Sequence, residues 1–162
     1  MSETSPRARL SPDTLYGELL QRLDALVAGE RDGIANLANA AALLYEGLAE
    51  LNWAGFYLLK DGELVVGPFQ GRPACVRIAL GRGVCGTAAL SRATVVVADV
   101  HAFPGHIACD AASNAEIVVP LVAGPRLVGV LDLDSPRPGR FDARDARGLE
   151  AFAQRLVEAS DL

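Results

Sequence analysis

Leu15, Leu19, Leu23 and Leu26 recur at the spacing of one helix face. Ser11-Pro12 before them reads as a cap followed by proline in the first turn, and Gly29 as the stop. Ile34, Leu37, Ala38, Ala41, Leu44 and Leu48 repeat the pattern, with Asp32 as the cap of a second helix. The period then changes. Asn52 to Leu59 reads as a strand, Asp61-Gly62 as a hairpin turn and Glu63 to Val66 as the return strand. Ala74 to Leu80 predicts a third strand. Gly81 and Gly83 interrupt the pattern, Val84 to Ser91 predicts a short helix, and Thr94 to Ala98 a fourth strand. Ala115 to Leu121 and Arg126 to Asp134 predict two strands around Gly124-Pro125. Asp142 and Asp145 open a last helix with Leu149, Phe152, Ala153 and Leu156 on one face.

This order, dominated by hairpin links, predicts an α+β fold: a largely antiparallel sheet with helices packed on one side. Residues 12–162 form one domain, and residues 1–11, polar with Pro and two Arg, read as a disordered tail. Asp99 to Asn114 fits neither period. A segment that long within a compact domain is usually functional or disordered, and its few charges and several apolar residues argue against disorder.

Composition narrows the function. The formal net charge is -5, and the fifteen Lys and Arg are scattered. Phosphate binding needs clustered cations, so nucleic acid is not the expected partner. No apolar run approaches the ~20 residues of a membrane span, and the first ten residues lack the apolar stretch of a signal peptide. A cytoplasmic protein is expected. Its three cysteines, an odd and dispersed set, do not suggest a staple framework.

Two places can carry chemistry. Residues two apart in a strand share a face, so Asp132 and Asp134 lie together, about 6.5–7 Å apart at Cα, with Val128 and Val130 on the same face. A three-residue turn at Ala123-Gly124-Pro125 would set Glu116 opposite Asp132 on that face; a two-residue turn would send Glu116 to the other. Three converging carboxylates would hold at least one proton at neutral pH, ready for donation. The alternative is that both Asp simply end the strand. The second place is Cys109. It lies in the irregular segment, where exposure and nearby donors set thiolate character. Cys85, at a helix start, could be activated by the helix N-terminus or be a small residue packed between Gly83 and Gly86. Cys75 lies on a predicted strand. Most free cysteines are inert core residues, so that reading stands beside the reactive one. Zinc is a rival use for Cys75, Cys85, His101, His106 and Cys109, but the short Cys-to-Cys spacing of a zinc knuckle is absent. The histidines read as hydrogen-bonding groups of the loop.

The runs GPFQGRPACVRIALGRGVCGTAA (67–89) and DVHAFPGHIACDAASNAEIVVPL (99–121), with ANLANAAALLYEGLAELNWAGFYLL upstream and GVLDLDSP downstream, resemble the free methionine-(R)-sulfoxide reductases, which are GAF-domain enzymes. The likeness spans about residues 15–158 and holds all three cysteines.

The resemblance implies a set of roles. Cys109 attacks the sulfoxide sulfur, Cys75 resolves the resulting sulfenic acid, and Cys85 has a secondary resolving role. Glu116, Asp132 and Asp134 lie near the sulfoxide oxygen, and Trp53 and Tyr57 of the N-W-x-G-F-Y motif line the substrate pocket. The implied substrate is free methionine-(R)-sulfoxide. No bound cofactor is expected, and thioredoxin or another dithiol is the external reductant. Ala111 and Ala115 replace serines common in similar sequences, which removes two hydroxyls expected near Cys109. A homodimer is expected by analogy alone, since GAF domains often pair through helices. The competing reading is a non-catalytic GAF module that binds a small ligand and senses redox state.

Overall fold

The first two helices begin where the capping chemistry asks. In a computed structural model, which describes residues 10–107 and 109–162, α1 spans Pro12–Val27 and α2 spans Gly33–Gly47. The Ser11 hydroxyl accepts from the Thr14 amide, and Asp32 accepts from the Ala35 amide, so each side chain pairs a donor the helix leaves open. Most of the expected tail, residues 1–9, lies outside the described residues.

The strands are β1 (Trp53–Lys60), β2 (Glu63–Gly71), β3 (Arg77–Ala79), β4 (Val95–Val97), β5 (Ala115–Ala123) and β6 (Arg126–Ser135). They form one antiparallel sheet in the order β3-β2-β1-β6-β5-β4. Two expected boundaries move. β2 runs past Val66 to Gly71, and Pro68 is tolerated because β3 pairs only with Glu63, Leu64 and Val65, leaving an open edge there. β3 is short, so Cys75 lies in the connection before it and not on a strand.

Helices α1, α2 and α4 (Ala143–Glu158) cover one face of the sheet. Leu19, Leu23, Leu37, Leu44, Phe56, Ile117, Leu131, Leu133 and Phe152 form that core, each almost wholly buried. Asp142 and Asp145 close a reciprocal capping box at the start of α4.

The expectation of helices on one side only is overturned by α3 (Gly83–Ser91), which packs on the opposite face. Val84, Cys85, Ala88 and Ala89 are buried there with Trp53, Tyr57, Val118 and Val130. The short helix carries no polar stripe, and its small residues allow close approach. A Cβ on Gly86 would sit 2.5 Å from the Ala79 carbonyl oxygen. β1 carries the matching signal: Trp53 to Tyr57 are buried without alternation, as in a strand covered on both faces. The segment Asp99 to Asn114 lies beside α3, and among its described residues the regular structure is a single 3₁₀ turn at Val100–Ala102.

Candidate active site

The site is built on the face that α3 covers. The β5–β6 turn has two residues, with Ala123 paired to Arg126. A regular ladder from that turn would put Glu116 opposite Leu133, on the wrong face. The register instead shifts between Leu121, which pairs with Gly129, and Val122, which pairs with Leu127. Val128 is the extra residue of this bulge and packs in the helix-covered core, not with Val130 as expected. Glu116 therefore returns to the acidic face and pairs directly with Asp134, while Val118 pairs with Asp132. The convergence of the three carboxylates holds, but by a register different from the expected pairing with Asp132.

Trp53 extends the row, since it pairs with Asp134 from the β1 side. Tyr57 lies on the same face, opposite Val130. Trp53 stacks on Phe69 with ring centroids 5.1 Å apart and on Tyr57 at 5.8 Å. Both polar ends are tied down: Trp53 Nε1 donates to the Arg72 carbonyl at 3.1 Å, and the Tyr57 hydroxyl to the Cys75 carbonyl at 3.1 Å. The aromatic wall thus fixes the backbone on both sides of Pro73-Ala74.

The carboxyl groups repel one another in a dry setting. Glu116 and Asp132 are 6% and 5% exposed, and Asp132 Oδ1 has no hydrogen-bond partner. Burial, and then the Asp132 charge, pushes the Glu116 carboxyl well above the usual carboxylate range. Burial first and Asp134 second do the same to Asp132. Asp134, which keeps some exposed surface, is raised by desolvation and then by Glu116. Crowding and burial thus both favour retention of protons on the trio. Cys85 reaches the floor from α3, its Sγ 3.9 Å from Glu116 Oε2. Burial, with the Asp132 and Glu116 charges next in weight, pushes its thiol up, so the helix start does not activate it.

Cys109 and Cys75 are joined in a disulfide at the mouth of the pocket, and Cys85 is the free cysteine. Trp53, Tyr57, Cys85, Cys109 and the three acids line one cavity. Cys75 belongs to the loop that closes one side, next to the lining residues Pro73 and Ala74. His106 also lines the pocket, its imidazole pKa lowered by burial and then by His101. His101 Nε2 lies 3.1 Å from Asn114 Oδ1, consistent with a loop-bracing role. The rival zinc set does not assemble. Its Cys75 and Cys109 are bonded to each other, and among the described residues no cluster of three or more potential ligands includes a histidine.

Asn52 is the residue sequence reasoning missed. Its Nδ2 donates to Asp110 Oδ2 at 3.1 Å and Ser113 Oγ at 3.0 Å, while its backbone N–H donates to the Asp134 carbonyl at 3.0 Å. Asn52, through its backbone on one side and its side chain on the other, thus ties the strand that carries Asp134 to the segment just after Cys109. Asp110 in turn accepts from the Ala112 amide, which, with the Asn52 bond, holds its carboxyl below the usual range. The only sequence signal was position, immediately before Trp53. Ala115 corrects a second expectation: it is fully buried in the opposite core, so a hydroxyl there would not reach Cys109.

Comparison with known proteins agrees with this architecture. Residues 35–159 match the GAF domain family. The chain is 56% identical over 141 residues to the free methionine-R-sulfoxide reductase of Escherichia coli, covering 87% of this chain and 86% of that one. Its fold matches the free methionine-R-sulfoxide reductase of Neisseria meningitidis, solved in complex with its substrate, with a TM-score of 0.90. Identity there is 46%, with 98% of this chain and 95% of that one covered. A putative GAF sensor protein from Burkholderia vietnamiensis matches with a TM-score of 0.91 and 60% identity, covering 93% and 96% of the two chains. With its acids, thiols and aromatic wall on a single GAF domain, this chain belongs to the GAF-domain family of free methionine-R-sulfoxide reductases.

Proposed function

We propose that this chain reduces free methionine-(R)-sulfoxide to methionine, with Cys109 as the attacking thiolate. The observation that carries the reading is the pairing of Cys109 with Cys75 at the mouth of a pocket floored by Glu116, Asp132 and Asp134. The Cys109 thiolate attacks the sulfoxide sulfur while a protonated carboxyl donates to the sulfoxide oxygen. Oxygen passes to the Cys109 sulfur as a sulfenic acid, and methionine leaves as the thioether. The Cys75 thiol then displaces water from the sulfenic acid and forms the disulfide. Two electrons and two protons from an external dithiol of the thioredoxin class restore both thiols. The cycle balances without a resident cofactor.

The pocket suits a small amino acid. Trp53 and Tyr57 offer an aromatic wall to a methylthio end, and the acids offer protons to the oxygen. Arg72 and Arg82 at the rim carry charge suited to a free carboxylate, which a peptide-bound residue would lack. Cys85, buried and with a raised pKa, is a poor first resolver, and we assign it at most a secondary one. No helix is long and apolar enough to cross a membrane among the described residues, and a cytoplasmic location, where thioredoxin-class reductants act, fits the proposal. A homodimer remains a proposal by analogy.

The experiment is steady-state reduction of free methionine-(R)-sulfoxide with thioredoxin and with dithiothreitol. Turnover of the R epimer supports the reductase. Binding of the sulfoxide without turnover of either epimer favours the redox-sensing module.

A further inference from the structure

Cys85 is the thiol the proposed cycle leaves reduced, and it does not sit alone. One ligand atom each from Cys85, Glu116 and Asp132 lie within 4.8 Å of one another, all three residues being buried. The Cys85 Sγ to Glu116 Oε2 separation is 3.9 Å. Around a tetrahedral zinc-class ion, a sulfur at ~2.3 Å and a carboxylate oxygen at ~2.1 Å stand about 3.6 Å apart. The cluster therefore needs a contraction of only a few tenths of an ångström on that edge. A second observation points to a ligand. Asp132 is 5% exposed and lines the pocket, and its Oδ1 is buried without a hydrogen-bond partner. A buried acceptor in that state has an open coordination position.

We propose that Cys85, Glu116 and Asp132 bind one thiophilic divalent cation, Zn²⁺ or Cd²⁺, entering through the pocket. The thiolate selects against magnesium and calcium, which take all-oxygen ligand sets. Three metal–ligand bonds form, and the displaced thiol and carboxyl protons leave to solvent. The fourth position faces the pocket and takes water. The ion then occupies the acids that a sulfoxide oxygen needs, so cation and substrate compete for one floor. The binding claim itself stands apart from the reductase reading.

The oxidised full-length chain supplies a clean test, because Cys75 and Cys109 are joined and Cys85 is the free thiol. A thiol count first verifies that state, and Cd²⁺ is then titrated in. The expected result is a thiolate-to-cadmium absorption band that saturates at one ion per chain and is displaced by Zn²⁺. The band disappears in Cys85→Ala, and Asp132→Asn, close in shape to the native side chain, weakens binding at least tenfold. Thermal unfolding verifies that each variant is folded, and Glu116→Gln replaces Asp132→Asn if the latter is not. No band at saturating Cd²⁺, or undiminished affinity in a folded carboxylate variant, overturns the site.

Discussion

Glu116 stands directly opposite Asp134 across β5 and β6, in a register that exists because Val128 is bulged out of the ladder. Like charges so placed destabilise a sheet, and both side chains face a covered pocket rather than water. Together with Asp132 they titrate as a unit, with raised carboxyl pKa values that have desolvation as their first cause.

That unit sets a pH dependence of activity. The proton-donating form is present below the raised pKa and is lost as pH rises through it. We therefore expect kcat/KM for the sulfoxide to fall on the alkaline side, and the amide variants Glu116→Gln, Asp132→Asn and Asp134→Asn to lose the donor. Removing a positioned general acid costs roughly 10²–10⁴-fold. A pH–rate profile of the three variants under thioredoxin or dithiothreitol measures it.

The same shifts run the other way for stability. The folded trio holds protons that the unfolded chain releases, so the stability contribution is full below the unfolded carboxyl pKa values and declines as pH rises through the raised ones. Asp132→Asn removes a buried acid from that linkage. It is expected to unfold at a higher temperature than wild type at neutral and mildly alkaline pH, with the gap closing in acid. Equal alkaline slopes for wild type and variant in calorimetric scans would refute it.

Cys75→Ser separates chemistry from recycling. The variant should release about one methionine per chain in a single-turnover experiment and then stall with thioredoxin. Normal steady-state rates with thioredoxin would transfer the resolving role to Cys85.

Asn52→Ala should loosen the segment after Cys109 without removing a reacting group. Losing a hydrogen bond costs roughly 0.5–1.5 kcal/mol of stability, and more where a buried partner such as the Ser113 hydroxyl is left unpaired. The positioning role predicts more: kcat drops about tenfold with KM little changed, since a small misplacement of a reacting group is costly. Alkylation of Cys109 in the reduced protein should become less site-selective. A variant that is destabilised yet retains wild-type kcat below its unfolding temperature would make Asn52 structural only.

Much of this was legible in the sequence because local chemistry dictated it. Ser11, Asp32 and the Asp142–Asp145 pair capped their helices as read, and Asp61-Gly62 formed its turn with both residues at positive φ. The shared face of Asp132 and Asp134 followed from strand period alone. What escaped was non-local. Whether α3 joins the other helices or covers the opposite face depends on packing that nine residues without a polar stripe do not encode. The bulge at Val128 left no local signal, and its consequence is that Glu116 joins Asp132 and Asp134 on one face. Asn52 was missed because its partners, Asp110 and Ser113, lie about sixty residues away, at separations of 58 and 61.

The most direct measurement compares wild type and Cys109→Ser in reduction of free methionine-(R)-sulfoxide with dithiothreitol, which bypasses the need for thioredoxin. Wild type should turn over the R epimer and leave the S epimer, and the variant should show no methionine above background. Undiminished turnover by Cys109→Ser would contradict the assignment of Cys109 as the thiolate that attacks sulfur.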